Sequence, residues 1–282
     1  MLHQLQNITE GTVIKRPSQF IKTPYVADVS INGEFFLGHT PALGCGGLAD
    51  KDATIYMIPS LSKTSKCDYT FYLSKQSDKD HPTEHEFVGI NPKIAETLAE
   101  RALQLNSLSK LQNVRSYKRE TSIVVEQYDL HSRFDFSGID ENGRPFLLEI
   151  KNVPLADYED LHEKDRKGKC YKDRDFRSKV AYFPDGYRKK RTDTVSPRAL
   201  KHIQELTKIT QISKTRCLLG FVIQRSDVTS FQPSIIDPIY RTALYAAMEA
   251  GVEVFAMVVK WTNDGKCTFV RDDLPIIPSS SE

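Results

Sequence analysis

The chain has 282 residues, of which 39% are hydrophobic and 27% charged, the balance of a folded globular protein rather than a disordered one. Fourteen Gly and fourteen Pro exclude a collagen-like or linker-like chain. No apolar run approaches the roughly 20 residues that span a bilayer. The net charge of +2 is unevenly spread: residues 162–191 hold twelve Lys or Arg against five Asp or Glu, so this segment is +7 and the remainder −5. Such asymmetry reads as a phosphate-backbone footprint or, equally, as a solvated insertion. The opening MLHQLQNITEG has neither a basic start nor an apolar stretch, so no secretory leader is expected. Five cysteines without a CxxC spacing predict free thiols and a cytoplasmic location.

In chain order, residues 11–38 predict short strands, with Asn32-Gly33 as a hairpin turn between apolar runs. Residues 53–58 and 69–73 predict two more. Strands at these intervals without a helix predict a small β-barrel. The polar stretch 75–86, KQSDKDHPTEHE, reads as a boundary between domains spanning 1–85 and 86–282. Beyond it, Asn91-Pro92 opens a helix to about Ser107. Strands follow at 122–128, 131–139 and 145–153, the last two joined across Glu141-Asn142-Gly143-Arg144. A basic insertion occupies about 155–195. Ser196-Pro197 and Asp237-Pro238 start two helices, the second ending at Gly251. Residues 216–224 and 252–261 read as buried strands. The second domain is therefore of mixed α+β or α/β class.

Two strands carry the chemistry. In SRFDF (132–136), alternation places Arg133 and Asp135 on one face and Phe134 and Phe136 on the other. In LLEIKNV (147–153), Glu149 and Lys151 share a face. An odd-length loop or a bulge between the strands sets Asp135 opposite Glu149. Two juxtaposed carboxylates beside a lysine suit a hard divalent cation, Mg²⁺ or Mn²⁺. Such an ion lowers the pKa of a bound water, and Lys151 would orient or deprotonate that water. The pattern D-x(n)-E-x-K across a hairpin is the core of the PD-(D/E)xK nuclease motif. A cross-strand salt-bridge cluster gives the same pattern.

The wider chain resembles the sugar fermentation stimulation protein A family. SRFDF, LLEIKNVPL, RALKHIQEL, FVIQRSDVTSFQPSIIDPIY and AMEAGVEV occur in the family's order, and EGTVIKRPSQF and GEFFLGHTPALG resemble its N-terminal strand and loop. The resemblance spans roughly residues 10–265. It implies an N-terminal OB-like β-barrel followed by a PD-(D/E)xK nuclease-like mixed-sheet domain. It also implies a metal-dependent nuclease that grips DNA, and possibly RNA, largely by its backbone. The alternative is a non-catalytic DNA-binding regulator that keeps the fold; a sugar-processing enzyme ranks behind both, because no sugar-site motif is present. By the resemblance, Asp135 and Glu149 are the metal-binding carboxylates, Lys151 is the catalytic lysine, and Glu126 and Gln224 are further site residues. Arg16, Arg133, Arg198, Lys201 and His202 are the expected nucleic-acid contacts; the last three match the family's basic helix and lie on one of its faces, which meets a phosphate backbone or is simply solvated, and Arg133 reads equally as a structural salt bridge. No membrane partner is implied.

The insertion and a following GYRKKR stretch depart from the family, and Arg188–Arg191 also resembles a nuclear targeting run. Ala42 stands where the family has Asn, so His39 reads as structural. Asp237-Pro238-Ile239-Tyr240 reads as a helix start and a packing element. Among the barrel aromatics Phe20, Tyr25, Phe35, Phe36, Tyr56 and Tyr69, one or two are expected to be exposed for base stacking and the rest to be core.

Overall fold

A computed structural model describes residues 1–40, 46–62, 64–126, 130–166, 168–184 and 193–279. Arg188–Arg191 and Ala42 lie outside the described residues. The first strand, β1 (His3–Gln4), is followed by β2 (Thr9–Lys15), β3 (Val26–Ile31), β4 (Glu34–His39), β5 (Thr54–Pro59), β6 (Tyr69–Ser77) and β7 (His85–Gly89). Asn32 and Gly33 take φ of +51° and +89°, the left-handed values that a two-residue hairpin turn requires, so β3 and β4 pair with Ile31 opposite Glu34. Strands β2 to β7 form one sheet in the order β4-β3-β2-β5-β6-β7, and β4 also pairs with β6. That extra pairing closes a five-stranded OB-like ring. It needs Gly38, because a Cβ there would meet the Phe71 ring at 2.2 Å. The polar stretch 75–86 is therefore strand at both ends. β6 runs to Ser77 and β7 begins at His85, with Glu86 buried where its carboxylate accepts from the Ser226 N–H and hydroxyl.

After helix α1 (Lys93–Gln104) come β8 (Ser116–Val125), β9 (Leu130–Ile139), β10 (Pro145–Val153), β11 (Ala156–Asp157), the short helix α2 (Glu163–Arg166) and β12 (Lys179–Phe183). Then follow α3 (Pro197–Ile212), β13 (Arg216–Ile223), β14 (Val228–Pro233), α4 (Pro238–Glu249), β15 (Glu253–Trp261) and β16 (Lys266–Arg271). The expected helix starts are present: Ser196 Oγ accepts the Ala199 N–H, and the Asp237 carboxylate accepts that of Tyr240. A seven-stranded mixed sheet runs β1-β16-β15-β13-β10-β9-β8, parallel only along β10-β13-β15. A three-stranded sheet, β11-β12-β14, lies beside it. The apolar runs 217–223 and 252–259 are central strands covered on both faces, which is why they lack alternation.

Two clusters flank the large sheet. Leu98, Ala102, Phe136, Leu148 and Trp261 pack with Tyr56 and Leu73 of the barrel. On the other side Phe134, Leu147, Leu219 and Phe221 pack under Ile203, Leu206, Tyr240 and Leu244 of α3 and α4. Phe134 and Phe136 thus enter different clusters, against the expectation that they share a face. The regular alternation breaks at the residue between them. Among the described residues, no helix is long and apolar enough to cross a membrane.

Candidate active site

The β9–β10 loop has five residues, 140–144, and so has the odd length that the site requires. Asp140 organises it. Its Oδ1 accepts the N–H groups of Asn142 (2.9 Å) and Arg144 (2.8 Å), and Oδ2 accepts Arg144 Nε (3.2 Å) and Arg216 Nη1 (3.0 Å). Burial pushes this carboxyl up, but the hydrogen bonds outweigh burial and hold it below the usual range. Pro145 then pairs with Ile139, and Leu148 with Phe136. The next position along that register sets Glu149 across from Asp135.

Here the β9–β10 ladder ends. The N–H of Ile150 donates instead to Asp135 Oδ2 at 2.7 Å. On the other flank of β9, Glu120 sits between the pairs Arg119–Phe136 and Thr121–Phe134 with φ of +53°. On β9, Phe134 and Phe136 go to opposite sides of the sheet, and between them the Asp135 carboxylate takes the Ile150 N–H.

Glu149 is only 3% exposed. Its Oε1 accepts from both Lys151 Nζ and His202 Nδ1, and these two nitrogens lie 3.5 Å apart. Its Oε2 is buried without a partner among the described residues, as is the hydroxyl of Tyr240. Burial alone would raise the Glu149 carboxyl, but His202 and Lys151 together hold it below the usual range. Asp135 goes the other way. Burial, then repulsion from Glu149, pushes it up to about 7, against the Ile150 N–H and Lys151. Below about 7 the pair therefore holds one proton, on Asp135, and loses it as pH rises through that value.

A consequence is measurable in metal-free protein. A carboxyl raised on folding contributes stability that is complete below its unfolded value near 3.8 and is lost as pH rises through about 7. Wild type is expected to lose melting temperature relative to Asp135→Asn between pH 4 and pH 7.5. Parallel melting curves for the two across that window would show that Asp135 does not titrate there.

The other expected site residues are placed differently. Gln224 is fully buried, but its Nε2 donates to Asn152 Oδ1 (2.8 Å) and its Oε1 accepts from Trp261 Nε1 (2.9 Å). Its carbonyl accepts the N–H of Gly89, so it joins the barrel to the sheet and does not reach the carboxylates. Glu126 is exposed, six residues beyond Glu120 and so about 20 Å of extended chain from Asp135. Arg133 is exposed and pairs with Glu120 at 3.6 Å. Arg16 donates to the Pro24 carbonyl (2.9 Å) and to Asp50 (3.4 Å) within the barrel. Arg198 and Lys201 are exposed on α3, and Lys201 Nζ donates to the His131 carbonyl.

His202 does not share their face. It is buried against Glu149, because the inward side of α3 runs Ala199, His202, Ile203, Leu206, Ile209. Counting that three-to-four spacing back from Ile209 and Leu206 would have found it. Of the barrel aromatics, Phe20, Tyr25 and Phe35 are exposed, Phe20 and Phe35 as an edge-to-face pair, whereas Tyr56 is buried.

The basic insertion is tied to the barrel by loop 78–84. Lys79 Nζ donates to the Lys169 carbonyl (2.9 Å), and Asp80 Oδ2 accepts the Tyr171 N–H (2.8 Å). His81 Nε2 meets the Arg174 carbonyl (2.8 Å), and Tyr158 stacks on Tyr171 at 4.6 Å.

Comparison with known proteins agrees with this architecture. Residues 93–265 match the family described as "Sugar fermentation stimulation protein RE domain". A sugar fermentation stimulation protein homolog of Clostridium tetani is 28% identical over 253 residues, covering 89% of this chain and 90% of that one. Its counterpart in a Jannaschia species is 29% identical over 276 residues, covering 96% and 95%. The structure of Pyrococcus furiosus SfsA in complex with Ca²⁺ superposes with a TM-score of 0.72 over 98% of both chains, at 20% identity, and shows the same fold. With its OB-like barrel, its mixed sheet and a family match over most of its length, this chain belongs to the sugar fermentation stimulation protein family.

Proposed function

We propose that this protein is a metal-dependent phosphodiesterase that cuts DNA or RNA and works in the cytoplasm. The observation that carries the proposal is the pairing of Asp135 with Glu149 beside Lys151, with Glu149 Oε2 buried and without a partner among the described residues. A buried carboxylate oxygen without a donor is costly unless a cation meets it. Burial, and then repulsion from Glu149, raises the Asp135 carboxyl, and a cation would relieve both. Hard oxygen donors of this kind suit Mg²⁺ or Mn²⁺. Asp135 and Glu149 would hold the ion. Among the described residues no group of three His, Cys, Asp or Glu could complete a protein-only shell, so water and substrate oxygens are left to fill it. A relative is described in complex with Ca²⁺, also a hard cation.

Such an ion supplies Lewis-acid stabilisation of phosphoryl charge and a more acidic bound water. The chain's own residues do the rest. Lys151 keeps N–H donors beyond the one given to Glu149, so it orients the attacking water or steadies negative charge on the phosphoryl oxygens. Exposed Arg198, Lys201 and the tethered basic insertion face the sugar-phosphate backbone without reading bases. Four described cysteines are free, in keeping with a reducing compartment.

The rival reading is a nucleic-acid binder without catalysis. It is favoured by one feature: Lys151 and His202 already neutralise Glu149. Labelled single- and double-stranded DNA and RNA, incubated with Mg²⁺, Mn²⁺ or EDTA, separate the two. Metal-dependent cutting supports the phosphodiesterase. Binding that weakens with salt, with no cutting on any substrate, supports the binder.

A further inference from the structure

His202 is a buried ionisable side chain in contact with Glu149 that the reaction outlined above does not use. It sits on α3, whose start is held from two sides. Ser196 caps the helix, and Asp237, itself the cap of α4, accepts from Thr194 Oγ1 (2.6 Å) and the Val195 N–H (2.7 Å). The imidazole is 5% exposed and its ring centroid lies 5.9 Å from that of Phe134. Its position is therefore set by the fold before any ligand arrives. Ionised Glu149 can only accept, so Nδ1 carries the proton and donates. Lys151 Nζ donates to the same oxygen, and the 3.5 Å between the two nitrogens is the approach of two donors to one acceptor.

We propose that His202 is a positioning residue for Glu149: with Lys151 it locks Oε1, so that Oε2 alone is presented to a divalent cation beside Asp135. This rests on the metal-site reading of the preceding section. It also reassigns the residue, because a surface histidine on a basic helix would contact phosphate and would not hold a carboxylate. A carboxylate bonded on both oxygens by the protein would bind an ion poorly. One free to rotate would lose entropy on binding. Locking a single oxygen avoids both. Outer partners that orient a metal-binding carboxylate are commonly worth about 10–100-fold in metal affinity.

The test is Mn²⁺ affinity of the metal-free full chain, read by calorimetry and by loss of the free-ion paramagnetic resonance signal, without nucleic acid. Asn places its amide donor near the position of His Nδ1, whereas Gln places it near Nε2. The expected result is that His202→Ala and His202→Gln weaken Mn²⁺ binding by about 10–100-fold, and that His202→Asn stays within a few-fold of wild type. Nucleic-acid binding in EDTA is expected to be unchanged in all of them. If Ala proves too unstable to fold, as melting of the metal-free variants would show, the contrast between Asn and Gln decides. Equal Mn²⁺ affinity in wild type and Gln would overturn the positioning role and leave the metal site standing. So would equal weakening by Asn and Gln, since it would mean that the donor at Nδ1 is not what matters. Absence of Mn²⁺ binding in wild type itself would overturn the metal reading and this role with it.

Discussion

Asp135→Asn and Lys151→Ala are each expected to lower metal-dependent cleavage by about 10²–10⁴-fold, the range associated with positioned proton-transfer and charge-stabilising groups. The two should fail for different reasons. Asn keeps the shape of Asp135, and its Oδ1 can still accept the Ile150 N–H, so the β9–β10 gap is preserved. What it loses is the charge that would meet the cation. The variant should fold at least as well as wild type at neutral pH, because the cost of burying the Asp135 charge and, after it, the repulsion from Glu149 are gone. Lys151→Ala should leave Glu149 with His202 as its one donor, and should lose the group nearest the water or phosphate. Initial rates on a labelled strand across a Mn²⁺ titration taken to saturation distinguish these cases. A metal-site defect moves the Mn²⁺ concentration needed for half-maximal rate, whereas loss of the lysine lowers the plateau. Full cleavage in either variant would remove the assigned residues from the reaction.

Asp227→Ala is expected to produce the largest loss of stability, about 3–5 kcal/mol, the usual cost of leaving a buried charge without its partner. Asp227 is fully buried. Its two oxygens accept Arg225 Nε and Nη2, both at 2.6 Å, and Lys179 Nζ approaches at 3.0 Å. Arg225 and Lys179 are themselves buried, and Lys179 lies over the Phe176 ring at 3.6 Å. Burial pushes the Asp227 carboxyl up, but the two cations hold it below its ordinary range, so it is charged at neutral pH. Truncation would strip buried Arg225 of its paired carboxylate and leave Lys179 with the Phe176 carbonyl (2.6 Å) and the more distant Asp78 (3.8 Å). Because Lys179 begins β12 and Arg225 follows β13, the insertion should loosen along with the sheet. Urea unfolding at pH 7 measures the cost, and partial proteolysis near residues 168–178 should accelerate. A change below about 1 kcal/mol would mean that water reaches the cluster and solvates both cations.

Short-range features were legible from residue types alone. Asn32-Gly33 makes a hairpin because its φ angles suit few other pairs. Ser196-Pro197 and Asp237-Pro238 start helices because a side-chain oxygen caps the first turn within three residues. Glu149 and Lys151 share a face because strand periodicity is two. Long-range pairing was not legible. β1 pairs His3 with Cys267, and β7 forms inside a polar stretch because β6 offers it an edge. Nothing within a few residues of either strand announces its partner.

The site divides along the same line. The residues that make a carboxylate pair beside a lysine, and the odd spacing that lets them meet, are properties of the chain. Where its neighbours point is a property of packing. Gln224 turns to Trp261 and Glu126 stays at the far end of β8, while His202 leaves the basic face of α3 for Glu149. Local steric and hydrogen-bonding preferences act over a turn or a strand pair and are written in adjacent residues. The direction a polar side chain takes in the interior depends on which distant group satisfies it, and only the packed sheet and helices bring that group into range.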